Sequence, residues 1–429
     1  MANWALRAQR LAGAAVAAAA SAAAAAACSP SPSSSSSALP SPDAWPILPP
    51  ALPRTSTGVN ARPAAGLLGC IGNTPLVEIE SLTRATGRRI FAKAEHMNPG
   101  GSVKDRPAAA IIAAYEAEGK LVPRDSRDPG DATEYRIVEG TGGNTGVGMA
   151  LIAAARGYKA TFTVPANVSQ EKIDFARTLG AEVIVCPVVP FSDERHYYHL
   201  AKRLAESTPG AVWGNQFEGL TNSGSHAAST GPEIWTQCHG KVDGLALAAG
   251  TGGTIGGLSR FLLAKNPRLR VAVIDPPGSS LAAFVESGEL RLAAHAGRAP
   301  DASKMAPQPG STITEGIGIG RLTANFASSA GVDTAFRGTD ADAVAMAYFL
   351  LRREGLYVGP SAALNVVGAV KLARELPVGS TVVTVLCDGG ARYQSKLFSE
   401  AWLREKGLDD AAKLGVRLAE GEEGLQMPW

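Results

Sequence analysis

Asn98-Pro99-Gly100-Gly101-Ser102-Val103-Lys104-Asp105-Arg106 places a single lysine directly after a glycine-bearing turn and just before an alanine-rich helical run, Pro107 to Glu118. A lysine so placed stands at the mouth of a sheet, with its amine directed at whatever fills the cleft. Catalysis uses lysine as a proton shuttle and as an imine-forming amine. Taken singly, a lysine is more often a solvated surface charge. Two glycine-rich loops further along shift that balance: Thr141-Gly142-Gly143-Asn144-Thr145-Gly146 and Gly250-Thr251-Gly252-Gly253-Thr254.

Around these loops the chain alternates strand-like and helix-like runs. Arg136-Ile137-Val138 leads into the first loop, and Val147 to Ala155 reads as the helix behind it. Lys159 to Val164 and Glu182 to Cys186 read as strands. Between them Ser169 is placed to cap a helix over Gln170 to Leu179 that ends at Gly180. Gly244 to Ala248, Val271 to Ile274 and Thr381 to Leu386 are further strands, each beside a helical run. Strands alternating with helices of this length predict an α/β fold with mostly parallel sheets and crossover helices.

The Gly250–Thr254 loop follows a strand and opens a helix at Ile255. Unobstructed backbone amides at a helix start form a ready anion site, and two threonine hydroxyls add donors. A plain strand-to-helix turn is the bland alternative. A dinucleotide fingerprint fits the spacing poorly, and no Gly-Lys-Ser/Thr follows to make a nucleotide-phosphate loop.

The 429 residues carry a net charge of +2 and are 45% hydrophobic and 19% charged. That composition builds a globular core of two-domain size and provides no basic field for nucleic acid. Cys28, Cys70, Cys186, Cys238 and Cys387 are odd in number and widely spaced, which argues against a disulfide scaffold or structural zinc. Their expected state is isolated thiols. Cys238-His239 lacks the second ligand pair a metal site needs, so no metal is expected.

The first 42 residues contain Arg7, Arg10 and no acid, then a long alanine run and the serine-proline tract Ser29 to Ser37. Such a stretch buries too little surface to fold. Residues 1–62 are expected to be a cleaved organelle leader, mitochondrial in first place and plastid in second. A secretory signal over Leu11 to Ala27, a weak membrane anchor and a lipoprotein site at Cys28 are the rivals. Beyond the leader, residues 63–103 with 221–400 are expected to form a larger cofactor-binding domain. Residues 104–220 form a smaller mobile domain and 401–429 a C-terminal tail, packed on the body or on a partner. Asp125 to Asp131 reads as a surface loop.

Taken in order, these motifs, together with Gly359-Pro360-Ser361-Ala362-Ala363 and Asp388-Gly389-Gly390-Ala391-Arg392-Tyr393, resemble the fold-type II pyridoxal phosphate enzymes, most closely the cysteine synthase (O-acetylserine sulfhydrylase) group. The resemblance runs from about Gly69 to Lys396. It implies two doubly wound domains like the tryptophan synthase β-subunit, a homodimer, and pyridoxal 5'-phosphate as cofactor.

By that resemblance Lys104 is the cofactor lysine and the base for the substrate α-proton. Gly250, Thr251, Gly252, Gly253 and Thr254 cradle the phosphate, Asn144 meets the ring oxygen, and Ser361 faces the pyridine nitrogen. Ser361 on its own also suits a helix N-cap. Thr141, Gly142, Gly143 and Thr145 grip the substrate carboxylate, with Gln216 beside them. Thr314-Glu315-Gly316-Ile317-Gly318 lines one face of the cofactor. Asp105, Arg106, Asp388 and Arg392 are read as structural. Two positions depart from the family: Gly142 replaces a serine and Gly219 an asparagine. The implied activity is β-replacement that makes L-cysteine from O-acetyl-L-serine and sulfide. The alternatives are sulfide-releasing desulfhydration and, prompted by the two departures, a binding protein of low turnover.

Overall fold

The computed structural model describes residues 66–429, apart from Gly142, Gly297, Pro307, Ala330 and 423–426. The leader, Cys28 and Gly142 therefore lie outside the described residues.

Among the described residues ten strands form two sheets. They are β1 (Leu76–Glu78), β2 (Arg89–Lys93), β3 (Arg136–Gly140), β4 (Lys159–Pro165), β5 (Glu182–Cys186), β6 (Ala211–Trp213), β7 (Gly244–Leu247), β8 (Arg270–Asp275), β9 (Val332–Arg337) and β10 (Thr381–Val385). The six-stranded sheet has the order β1-β2-β10-β7-β8-β9, and only β1 runs antiparallel. The four-stranded sheet, β5-β4-β3-β6, is wholly parallel. The α/β reading and its mostly parallel sheets are thus borne out. The strands β1, β2, β6 and β9 were not foreseen. Two of them are three residues long, and β9, Val-Asp-Thr-Ala-Phe-Arg, is an edge strand too polar to read as a core run.

Both sheets bury both faces, as parallel sheets require. In the larger sheet Leu245, Leu247, Val271, Val273, Val383 and Val385 pack to one side with helix α5 (Gly253–Lys265). The alternate residues Ala246, Ala272, Ile274 and Val382 pack to the other side, against α6 (Asp340–Phe349) and α7 (Pro360–Glu375). In the smaller sheet Ile137, Ala160, Phe162 and Val164 meet α1 (Asp105–Ala117), α2 (Asn144–Arg156) and α3 (Gln170–Thr178). Val138 on the opposite face meets α4 (Tyr197–Ser207) through Ala201 and Ala205.

Two caps differ from expectation. Ser169 occupies the N-cap position of α3, but its side chain bonds none of the helix amides; its hydroxyl reaches Glu315 Oε2 at 3.4 Å instead. Gly359, not Ser361, is the N-cap of α7, with Pro360 and then Ser361 inside the first turn. Proline suits that first position because its missing N–H has no intrahelical acceptor there.

The C-terminal residues pack on the body. Helix α8 (Asp409–Glu420) lies against α6, and Gly415 approaches Ala345 so closely that a Cβ would stand 2.2 Å from its carbonyl oxygen. Trp429 is 2% exposed, and its indole N–H donates to Asp342 Oδ1 at 3.1 Å. Among the described residues no helix is long and apolar enough to cross a membrane.

Candidate active site

The loops singled out from the sequence leave the carboxyl ends of strands. Thr141 follows β3, Gln216 follows β6, the Gly250 loop follows β7 and Asp388 follows β10. That is where parallel α/β sheets bind ligands.

Lys104 stands at the N-cap of α1. The turn before it is locked. Gly101 has φ +73°, and Asp105 accepts from Gly100 N at 2.5 Å. Asn98 Nδ2 donates to Glu95 Oε2 at 2.9 Å and to the Ser102 carbonyl at 3.2 Å. Val103 N donates to the Cys387 carbonyl at 2.8 Å, which ties the turn to the end of β10. Arg106 is buried, with Nε 2.7 Å from Glu95 and Nη1 2.7 Å from Glu233. Burial pushes the Glu95 carboxyl up, but the Arg106 guanidinium outweighs it and holds the group at about 2. Arg106 is therefore a structural ion pair, as the sequence suggested.

Lys104 lines a cavity with Gly250, Thr251, Gly252, Thr254, Gly316, Ile317, Asn365 and Cys387. Burial lowers its amine below the usual lysine range. Cys387, Asp388 and Glu95 pull it upward, and Lys172 adds to the lowering. The cradle opposite is built on close approaches. Gly252 has φ +82°, and a Cβ there would stand 2.5 Å from Phe326 N; at Gly250 it would stand 2.2 Å from the Gly316 carbonyl oxygen. Asn222 Nδ2 donates to Thr251 Oγ1 at 3.0 Å, and Thr323 Oγ1 donates to the Thr251 carbonyl at 2.8 Å. Thr254 Oγ1 meets His226 Nε2 at 3.3 Å. Burial depresses that imidazole to about 3, so it is neutral near pH 7. Gly253 begins α5, its Cβ position filled by the Asn222 side chain.

Ser361 is buried, with its hydroxyl beside the Cys387 thiol that lines the cavity. Asn365 Nδ2 donates to the same sulfur at 3.2 Å. Burial pushes the Cys387 thiol up to about 11. The sequence had given this cysteine no role. Its one available signal was its position directly before the Asp388 signature.

Across the cleft, Asn144 Nδ2 donates to Asp388 Oδ2 at 2.7 Å, and its Oδ1 accepts from Arg392. Gly143 N donates to Thr141 Oγ1 at 3.1 Å. Thr145 Oγ1 donates to Gln216 Oε1 at 2.6 Å, and Gln216 Nε2 donates to Glu139 Oε1 at 3.2 Å. Burial raises the Glu139 carboxyl to about 8. Near the Gly219 departure, Asn325 Nδ2 donates to the carbonyls of Gln216, Phe217 and Gly219 at 3.0, 2.8 and 3.2 Å, so another side chain ties down that backbone. Asn222, His226 and Lys172 were also missed. Each lies on a helix, away from any glycine loop, so motif spacing cannot announce it.

One pocket thus offers a lysine amine of lowered basicity and, facing it, a helix start open to an anion. This pairing fits a cofactor that carries both an aldehyde and a phosphate. Residues 67–388 match the family model described as "Pyridoxal-phosphate dependent enzyme", and the chain belongs to that family of pyridoxal-phosphate-dependent enzymes. Cysteine synthase 1 of Emericella nidulans is 44% identical to it over 81% of this chain and 88% of its own. Cysteine synthase of Dictyostelium discoideum is 43% identical over 79% and 85%. The crystal structure of an O-acetylserine dependent cystathionine beta-synthase from Helicobacter pylori superposes with a TM-score of 0.65 at 30% identity, covering 78% of this chain and 98% of that one.

Proposed function

We propose that this protein makes L-cysteine by β-replacement, joining sulfide to the three-carbon skeleton of O-acetyl-L-serine with release of acetate. The observation that carries the reading is the meeting, in one cavity, of the Lys104 amine with the Gly250–Thr254 cradle. The cysteine synthases of similar sequence give that site its substrate class.

Lys104 would hold the cofactor through its amine, and Gly250 to Thr254 would hold the phosphate. Asn144 would meet the ring oxygen and Ser361 the ring nitrogen. When bound, pyridoxal phosphate supplies an electron sink for the substrate α-carbon. Lys104 Nζ is the base for the α-proton, and its lowered basicity keeps a larger share of the amine unprotonated near neutrality. Thr141, Gly142, Gly143 and Thr145 orient the substrate by its carboxylate, and Gln216 steadies Thr145. A hydroxyl rather than a carboxylate at Ser361 leaves the pyridine nitrogen less protonated. That moderates the sink and suits elimination and replacement at the β-carbon.

The same reading includes a smaller domain, residues 104–220, that closes over the substrate and excludes water. It also includes a homodimer and a mitochondrial destination for the cleaved leader 1–62. Light scattering of the purified protein tests the dimer, and N-terminal sequencing of protein from its native cell tests the cleavage.

The decisive experiment is assay of the purified protein with O-acetylserine and sulfide. The protein as purified should be yellow, and O-acetylserine should shift its absorbance. Lys104→Ala should abolish cysteine formation. An absorbance that ignores every β-substituted serine would defeat the enzyme reading.

A further inference from the structure

Lys172 belongs to no motif and to no step described above, yet its side chain is only 4% exposed. It sits on α3 and borders a small pocket lined also by Thr141 and Gly143. Its ammonium stands 3.4 Å from where a Cβ on Gly143 would be. A buried cation therefore backs the turn assigned to the substrate carboxylate.

Its other neighbours come from the segments after β8 and β10. Glu315 Oε2 lies at 2.5 Å and Tyr393 OH at 3.4 Å, with the tyrosine ring centre 4.8 Å away. Glu315 is already shared, because Lys396 Nζ takes its other oxygen at 2.5 Å. Two ammoniums on one carboxylate leave the trio with one net positive charge. Extending the network to Asp388, reached through Tyr393, and to Arg392, reached through Asn144, adds one charge of each sign and leaves the sum unchanged. Lys396 is partly exposed, so water screens its charge, whereas Lys172 is buried, and a buried charge is costly unless an anion meets it. The adjoining loop is where an anion is expected.

We propose that Lys172 is a positioning residue for the amino-acid substrate: its ammonium backs the Gly143 turn with the positive charge that holds the substrate α-carboxylate, and Glu315 tempers that charge by sharing it. This rests on the reading of Thr141 to Thr145 as the carboxylate loop. Gly143 has no side chain to stand between the two, and a larger residue there would press on the ammonium.

The test compares two ligands on the holoenzyme by calorimetric titration: L-serine, and L-serinamide, which lacks the carboxylate charge. Lys172→Gln keeps a hydrogen-bonding group without charge; Lys172→Arg restores the charge. The expected result is a loss of about tenfold or more in affinity for serine in Lys172→Gln, the scale of one nearby charge acting through a partly buried site. Serinamide affinity should change less than about twofold, and Lys172→Arg should recover part of the loss. In steady state the defect should appear in KM for O-acetylserine more than in kcat. Glu315→Gln, which releases the full charge of Lys172, should not weaken serine binding. Equal losses for both ligands, or none for serine, would overturn the role of Lys172 while leaving the proposed function standing. A wild-type holoenzyme that binds neither ligand would sink the carboxylate loop itself and Lys172 with it.

Discussion

Glu139 shows how much one side chain can depend on its surroundings. It is the penultimate residue of β3 and has no exposed surface. Its Oε1 accepts from Gln216, and among the described residues its Oε2 has no hydrogen-bond partner. Burial raises its pKa from 4.5 to about 8, so it is largely protonated at neutral pH and supports Gln216 as a neutral acid. A carboxyl whose folded pKa is raised contributes stability that is complete below its unfolded value and is lost as pH climbs through the folded one. Wild-type stability should therefore decline between about pH 4.5 and 8 by an amount that Glu139→Gln removes. Urea denaturation of both proteins across that window reads the difference, and parallel curves would refute it. Lys104 was legible in the sequence because its motif is contiguous. The raised pKa of Glu139 was not, because it depends on residues that only folding brings to β3.

Among the elements, the loop between β7 and α5 is where sequence and structure agree most closely. Its glycines announce a backbone that must come close to something, and the structure identifies the neighbours as Gly316, Phe326 and Asn222. Gly252→Val would impose a β-branched side chain on a left-handed φ and drive it into Phe326, a strain of about 1–3 kcal/mol from the backbone alone. Cofactor affinity, measured by equilibrium dialysis and absorbance, should fall more than about tenfold while far-UV circular dichroism keeps its wild-type shape. Unchanged affinity would mean that the loop does not cradle the cofactor. The same element explains a gap in the sequence reading. Asn222 and His226, which hold Thr251 and Thr254, come from the helical segment after β6, and nothing about their local sequence marks them. The cap of α7 was misjudged for a related reason. Serine, glycine and proline in sequence permit more than one N-cap, and the backbone of Gly359 decides.

At the scale of the whole molecule, the C-terminal residues finish the larger core. Trp429 packs with its ring centre 6.3 Å from that of Phe349. Trp429→Ala should cost about 3–5 kcal/mol, the usual range for emptying a buried aromatic site, with little change in KM because the residue does not line the cavity. Chemical denaturation and steady-state assay together check this; a loss under 1 kcal/mol would show that the terminus is not part of the core. The sequence left this segment's partner open, since an amphipathic helix fits any apolar face of matching shape.

The sequence by itself determined the α/β class and the central strands, and it located the lysine turn and the glycine loop that meet in one cavity. Each is written in contiguous residues, through apolar runs, glycine turns and helix starts that act over a few positions. Only the tertiary structure decided that Cys387 walls the cavity, that His226 and Asn222 brace the cradle, and that Lys172 stands behind Gly143 sharing Glu315 with Lys396. Those relations join residues tens to hundreds of positions apart. Burial and charge depend on distance in space, which the order of residues along the chain does not specify.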